Sequence, residues 1–171
     1  NVNAQPDSRL VLIARIIAVV LIGVLALRIA WMSDDALITL RTALNITHGW
    51  GAGFNATERV QAYTHPLWFL LWVGIGATTN QWILGNLALA ITFTMGAVAR
   101  VVWHTVSLQR IIIVTGVLAF SNAFMEFATS GLENPLGYLT LGLLVCLSLR
   151  KEWNAAAAFL LGLTAAAAFL T

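Results

Sequence analysis

The chain has 171 residues, 60% of them hydrophobic and 9% charged, with a formal charge of +2 and a mean hydropathy of +0.86. A soluble domain carries about 25% charged residues, so lipid is the expected solvent, and the small, dispersed positive charge excludes the basic stripe that nucleic-acid binding needs. The single cysteine, Cys146, lies inside an apolar run, which excludes an internal disulfide and leaves a thiolate metal cluster or redox chemistry unsupported.

The first apolar run covers 10–32. It exceeds the roughly 7 to 15 residues of a signal-peptide core and has no small-x-small cleavage site, so it reads as a permanent transmembrane anchor. The one long polar stretch follows at 33–65, opening with Ser33-Asp34-Asp35 and then Leu37, Leu40 and Leu44 on one stripe. That pattern predicts an amphipathic helix at the membrane surface, broken by Gly49, Gly51 and Gly53. Proline fits a first helical turn, so Pro66 starts a new helix over the short apolar run 66–77. Runs of about 10 to 14 residues are interfacial or re-entrant more often than spanning. Further apolar runs cover 82–103, 111–129, 136–149 and 155–170, and Trp31, Trp50, Trp82, Trp103 and Trp153 sit near segment ends as interfacial anchors.

Basic residues favour the cytoplasmic side of spans. Arg9 and Arg15 therefore put the N-terminus inside and the Asp34-Asp35 loop outside, while Arg100 with Arg110, and Arg150 with Lys151, mark cytoplasmic connections if only one full crossing lies between His65 and Arg100. If 66–77 does not cross, there are five crossings, and the polar island 130–134 lies outside near the Asp-Asp loop. The expected class is an all-α polytopic membrane protein with an extracytoplasmic first loop containing an amphipathic helix. Thr171 falls within an apolar run with no closing polar segment, so 1–171 is expected to be the N-terminal part of a longer protein.

Asp34 and Asp35 are the sharpest chemical signal, two carboxylates directly after the first span. Ser33 or Asp34 can cap the following helix, but a cap needs one such residue. Adjacent carboxylates can instead divide labour, one acting as base or nucleophile while the other orients a hydroxyl or, as Asp35 is placed to do, a divalent cation. Arg41 and His48 follow Asp34 at intervals of seven, which puts all three on one helix face. Arg28, seven before Asp35, either binds a lipid phosphate or snorkels to the interface. Glu58-Arg59 reads as a substrate contact or a solvated pair, and His65 as a ligand or merely the residue before a helix. Glu133 reads as a site residue or a first-turn acid of the next helix, and Glu126, within the preceding run, as a costly intramembrane acid that needs a cavity or a partner. Asn45-Ile46-Thr47 and Asn55-Ala56-Thr57 match the glycosylation acceptor pattern, which is frequent by chance.

Three blocks carry a resemblance. Asp34-Asp35-Ala36-Leu37-Ile38-Thr39-Leu40-Arg41 comes first, then Gly49 to Gly53 with Phe54-Asn55 and Glu58-Arg59-Val60, then Phe127-Ala128-Thr129-Ser130-Gly131-Leu132-Glu133-Asn134. In order and spacing, from about Trp31 to Leu149, they resemble the GT-C membrane arabinofuranosyltransferases of mycobacteria and corynebacteria, above all the terminal β-(1→2) group. The resemblance implies a GT-C transmembrane module, a polyprenyl-phosphate donor such as decaprenyl-phosphoryl-arabinofuranose, and a glycan acceptor in arabinogalactan or lipoarabinomannan. It also puts the paired acids of the first outer loop, here Asp34 and Asp35, in an active site on the outer face of the plasma membrane. Arg28, Arg41, His48, Glu58, Arg59, His65 and Glu133 are then the candidate substrate contacts. Members of this family continue, past the equivalent of Thr171, with further membrane helices and an extracytoplasmic domain.

Two rivals stand beside that reading. A mannosyltransferase using polyprenyl-phosphate mannose also suits an Asp-rich first loop and a Thr64-His65-Pro66-Leu67 helix start, whereas the 127–134 block favours arabinose. A transporter or lipid-binding membrane protein would use Asp34 and Asp35 for substrate or protons, but no inverted repeat or broken midplane helix pair is evident.

Overall fold

In a computed structural model, residues 8–55, 57, 60–150 and 152–171 are described, and they form an all-helical arrangement without a strand among them. In chain order the helices are α1 (Ser8–Arg28), α2 (Asp34–Thr47), α3 (Pro66–Thr79), α4 (Trp82–Trp103), α5 (Leu108–Phe120), α6 (Asn122–Phe127), α7 (Asn134–Ser148) and α8 (Ala155–Phe169). Among the described residues, α1 and α4 are long and apolar enough to cross a membrane; α3, α5, α7 and α8 are apolar but shorter.

α1 and α4 run antiparallel. Gly23 faces Met95 near one end of their contact, and the Arg15 guanidinium donates to the Thr105 carbonyl at 2.8 Å near the other. Ala18, Ile22 and Ala26 of α1 bury against Val98 and Val102 of α4 and Ile111 of α5. The outward faces of the same helices are also apolar: Ile13, Ile17 and Val24 on α1, and Ile112 and Val117 on α5, are largely exposed. Such surface is unfavourable in water and is what a lipid solvent accepts.

α3 packs as a hairpin partner of α4. The Trp72 indole donates to the Trp82 carbonyl at 2.8 Å, and Trp68 meets the Phe93 ring at 6.2 Å between centroids. Asn80, in the left-handed region at φ 55, makes the turn. Because α3 has 14 residues against 22 in α4, it covers only the half of α4 next to the C-terminal end of α1.

Local expectations are revised over 111–129. The single run expected over 111–129 is two helices, because Ser121 has extended backbone (ψ 102), ends α5, and accepts from the Phe124 N–H at 3.3 Å to start α6. Glu126, expected within a span, is thus an exposed residue of a six-residue helix. In α2 the buried face is made by Ala36, Thr42, Ala43 and Asn45, while Leu37 is half exposed. Asn45 sends its amide to the carbonyls of Gly53 (2.8 Å) and Phe54 (3.0 Å), stapling the loop back onto α2. With both amide hydrogens engaged and 6% exposure, Asn45 has no access to a glycosylating enzyme.

Candidate active site

The site is built where α2 begins. The Ser33 hydroxyl accepts from the Ala36 N–H at 3.2 Å, so serine is the cap and both aspartates fall in the first turn. The Ser33 N–H itself donates to the Ser130 carbonyl at 2.9 Å, tying the start of α2 to the polar island before α7. Gly131, at φ +84, lies so close that a Cβ there would stand 2.6 Å from the Ala36 Cβ. The first polar loop and the second island therefore meet at one end of the bundle.

Between them is a cavity of about 360 Å³, lined by Asp35, Ile38 and Thr39 of α2, by 62–65 and Trp68, and by Gly131, Leu132 and Glu133. Asp35, Ile38 and Thr39 share a face because residues three and four apart are helix neighbours. His65 precedes α3, where Pro66 fixes the helix start, and its Nε2 lies 3.1 Å from Glu133 Oε1. Its Nδ1 faces the Thr171 backbone oxygen, so both ring nitrogens look at acceptors, and a protonated ring donates to both. Glu133, the residue before α7, makes no cap bond with its side chain; it pairs across the cavity instead. Tyr63 stacks on Phe69 at 4.1 Å and stiffens the segment that carries His65. Asp35 is exposed and lines the cavity.

The structure thus gathers Asp35, His65 and Glu133 from the expected set. Asp34 is exposed beside them and does not line the cavity. Arg28 ends α1, exposed. The Arg41 guanidinium lies over the Phe54 ring at 4.3 Å, and His48, the C-cap of α2, bonds the Leu44 carbonyl at 2.7 Å and stacks on Trp50. These three are away from the cavity. Glu58 and Arg59, like Lys151, are outside the described residues. Among the described residues no three His, Cys, Asp or Glu side chains converge to hold a metal ion. Thr39 and Trp68 line the cavity without having been expected there: a threonine mid-helix and a tryptophan in an apolar run carry no signal of their own.

An acid on a helix start, an imidazole and a second acid around one polar cavity can take a proton, hold a departing anion and stabilise developing positive charge.

Two curated proteins are similar to this chain. The terminal β-(1→2)-arabinofuranosyltransferase of Corynebacterium glutamicum is 39% identical over 111 residues, which cover 60% of this chain and 16% of that protein. The protein of the same name from Mycobacterium tuberculosis is 36% identical over 127 residues, 67% of this chain and 20% of its own length. The chain therefore spans about a fifth or less of the length of these relatives. No family model matches, and no solved structure matches. The resemblance to arabinofuranosyltransferases carried by the three sequence blocks is found again in these relatives.

Proposed function

We propose that the chain is part of a GT-C membrane glycosyltransferase that moves arabinofuranose from a polyprenyl-phosphate donor to a cell-wall arabinan acceptor on the outer face of the plasma membrane. The observation that carries this reading is the cavity lined by Asp35, His65 and Glu133, after the first long apolar helix, in a chain similar to two proteins named as terminal β-(1→2)-arabinofuranosyltransferases. A lipid donor holds its phosphate at headgroup depth, so the reacting groups belong at the end of a span. Over the reaction the acceptor hydroxyl oxygen bonds to the anomeric carbon and its proton passes to Asp35. The bond from that carbon to the phosphate oxygen breaks, and its electron pair leaves with the polyprenyl phosphate. His65, paired with Glu133, lines the same cavity beside the reacting groups.

The direct test is transfer by the full-length protein in membranes. With decaprenyl-phosphoryl-arabinofuranose and an arabinan oligosaccharide, the expected result is an acceptor longer by one arabinose; transfer from the mannose donor alone overturns the reading in favour of a mannosyltransferase.

The outer placement is supported by the basic residues flanking the other ends of α1 and α4. Gly51 sits at φ +92 and resists a side chain, so the neighbouring exposed Ala52 is the better probe. In a Cys146→Ser background, Ala52→Cys should react with an impermeant thiol reagent in intact cells and Glu152→Cys only after permeabilisation. The reverse pattern overturns the topology.

A further inference from the structure

Asn86 is 1% exposed within α4, and a buried amide in an apolar helix is costly unless its groups are bonded. Its Nδ2 donates to the Gly131 carbonyl at 3.2 Å, while its Oδ1 has no partner among the described residues. The same Gly131 oxygen accepts from the Trp68 indole at 3.0 Å. Both acceptor sites of one carbonyl are therefore filled, from α3 and from α4. One residue earlier, the Ser130 carbonyl accepts from Ser33, the cap of α2. Two residues later, Glu133 meets His65.

We propose that Asn86 is a positioning residue: by holding the Gly131 carbonyl it fixes the turn that sets Glu133, and with it His65, against Asp35. The proposal rests on the reading of the cavity as the transfer site. The amide touches no residue of the Asp35, His65 and Glu133 set; it acts through the Ser130-Gly131 backbone, which faces α2 through one carbonyl and α3 and α4 through the other. Asn86 has its donor on the turn and its acceptor bare, so replacing it removes one unpaired buried group and leaves the Gly131 carbonyl held by Trp68 alone.

The test compares the full-length wild-type protein with Asn86→Leu, of the same branching and side-chain heavy-atom count but without a donor, and with Asn86→Ser, too short to reach the carbonyl. Both variants are expected in the membrane at wild-type levels with an unchanged Tm. Per folded protein, kcat should fall by up to about 100-fold, the cost of a misplacement near 1 Å, with the donor KM unchanged. Independently of activity, spin labels at Thr39→Cys and Leu132→Cys in a Cys146→Ser background should give one narrow distance with Asn86 present. The distance should shift or broaden in Asn86→Leu. An unchanged distance together with an unchanged kcat overturns the proposal, as does a fall in activity that only tracks lost protein or lowered Tm. If the wild type fails to transfer arabinose while the label distance still responds to Asn86→Leu, the functional reading fails and the positioning role stands.

Discussion

Asp35→Asn in the full-length protein is expected to reach the membrane at normal levels and to lose transfer by a factor of about 100 to 10,000, the usual contribution of general base assistance. The side chains are nearly isosteric, and an amide is not an effective base. The structure separates this loss from a folding defect, because Ser33 and not an aspartate caps α2. The carboxylate's remaining structural contribution is its interaction with the positive end of the helix dipole, which is small at an exposed position. Asp34→Asn should be the milder variant, since Asp34 does not line the cavity. Rates of arabinose transfer to an oligosaccharide acceptor, normalised to protein in the membrane, check both. Near-normal rates in the two single variants and in the double variant would remove the pair from the reaction.

The largest effect on stability is expected from Gly131→Ala. Its φ of +84 belongs to the left-handed region, which costs a side-chain-bearing residue about 1 to 2 kcal/mol. The new methyl would stand 2.6 Å from the Ala36 Cβ, an atom fixed to the α2 backbone, so relief requires α2 to move; overpacking of this kind costs roughly 1 to 3 kcal/mol. The two together amount to roughly 2 to 5 kcal/mol, enough to lower the Tm of the detergent-purified protein clearly and to pull Ser33 off the Ser130 carbonyl. Gly116→Ala is the control: it is inside α5 with nothing within 4 Å of the added atom, and alanine is there the better helix former. A Tm equal to wild type in Gly131→Ala, with transfer intact, would show that the junction of α2 with the 130–133 turn is not strained by a side chain.

The catalytic and the folding expectations converge on contacts between residues far apart in sequence. His65 and Glu133 are joined across the cavity, and Trp68, Asn86 and Gly131 meet at one carbonyl. Each residue read alone has an ordinary local reading: a histidine before a helix, an acid in a first turn, a tryptophan or an asparagine in an apolar run.

What the sequence by itself determined is what local chemistry and composition control. The helical class follows from apolar runs too long and too continuous for another solution in lipid. The start of α2 after Ser33, the start of α3 at Pro66 and the break at Gly49 and Gly51 follow from capping, from proline's fixed φ and from glycine's access to positive φ. The pair at 34–35 stood out because two charges at a span boundary are costly unless used. Tertiary structure alone decided which of the candidates share a cavity. Spacing of seven on α2 puts Asp34, Arg41 and His48 along one helix, but Arg41 turns to Phe54 and His48 to Trp50, whereas Asp35 is joined by residues 30 and 98 positions away. Helical periodicity fixes a residue's neighbours only within a turn or two; those more distant neighbours are set by how α2, α3, α4 and the 130–133 turn pack, an outcome of buried surface and of the few hydrogen bonds that satisfy buried polar groups.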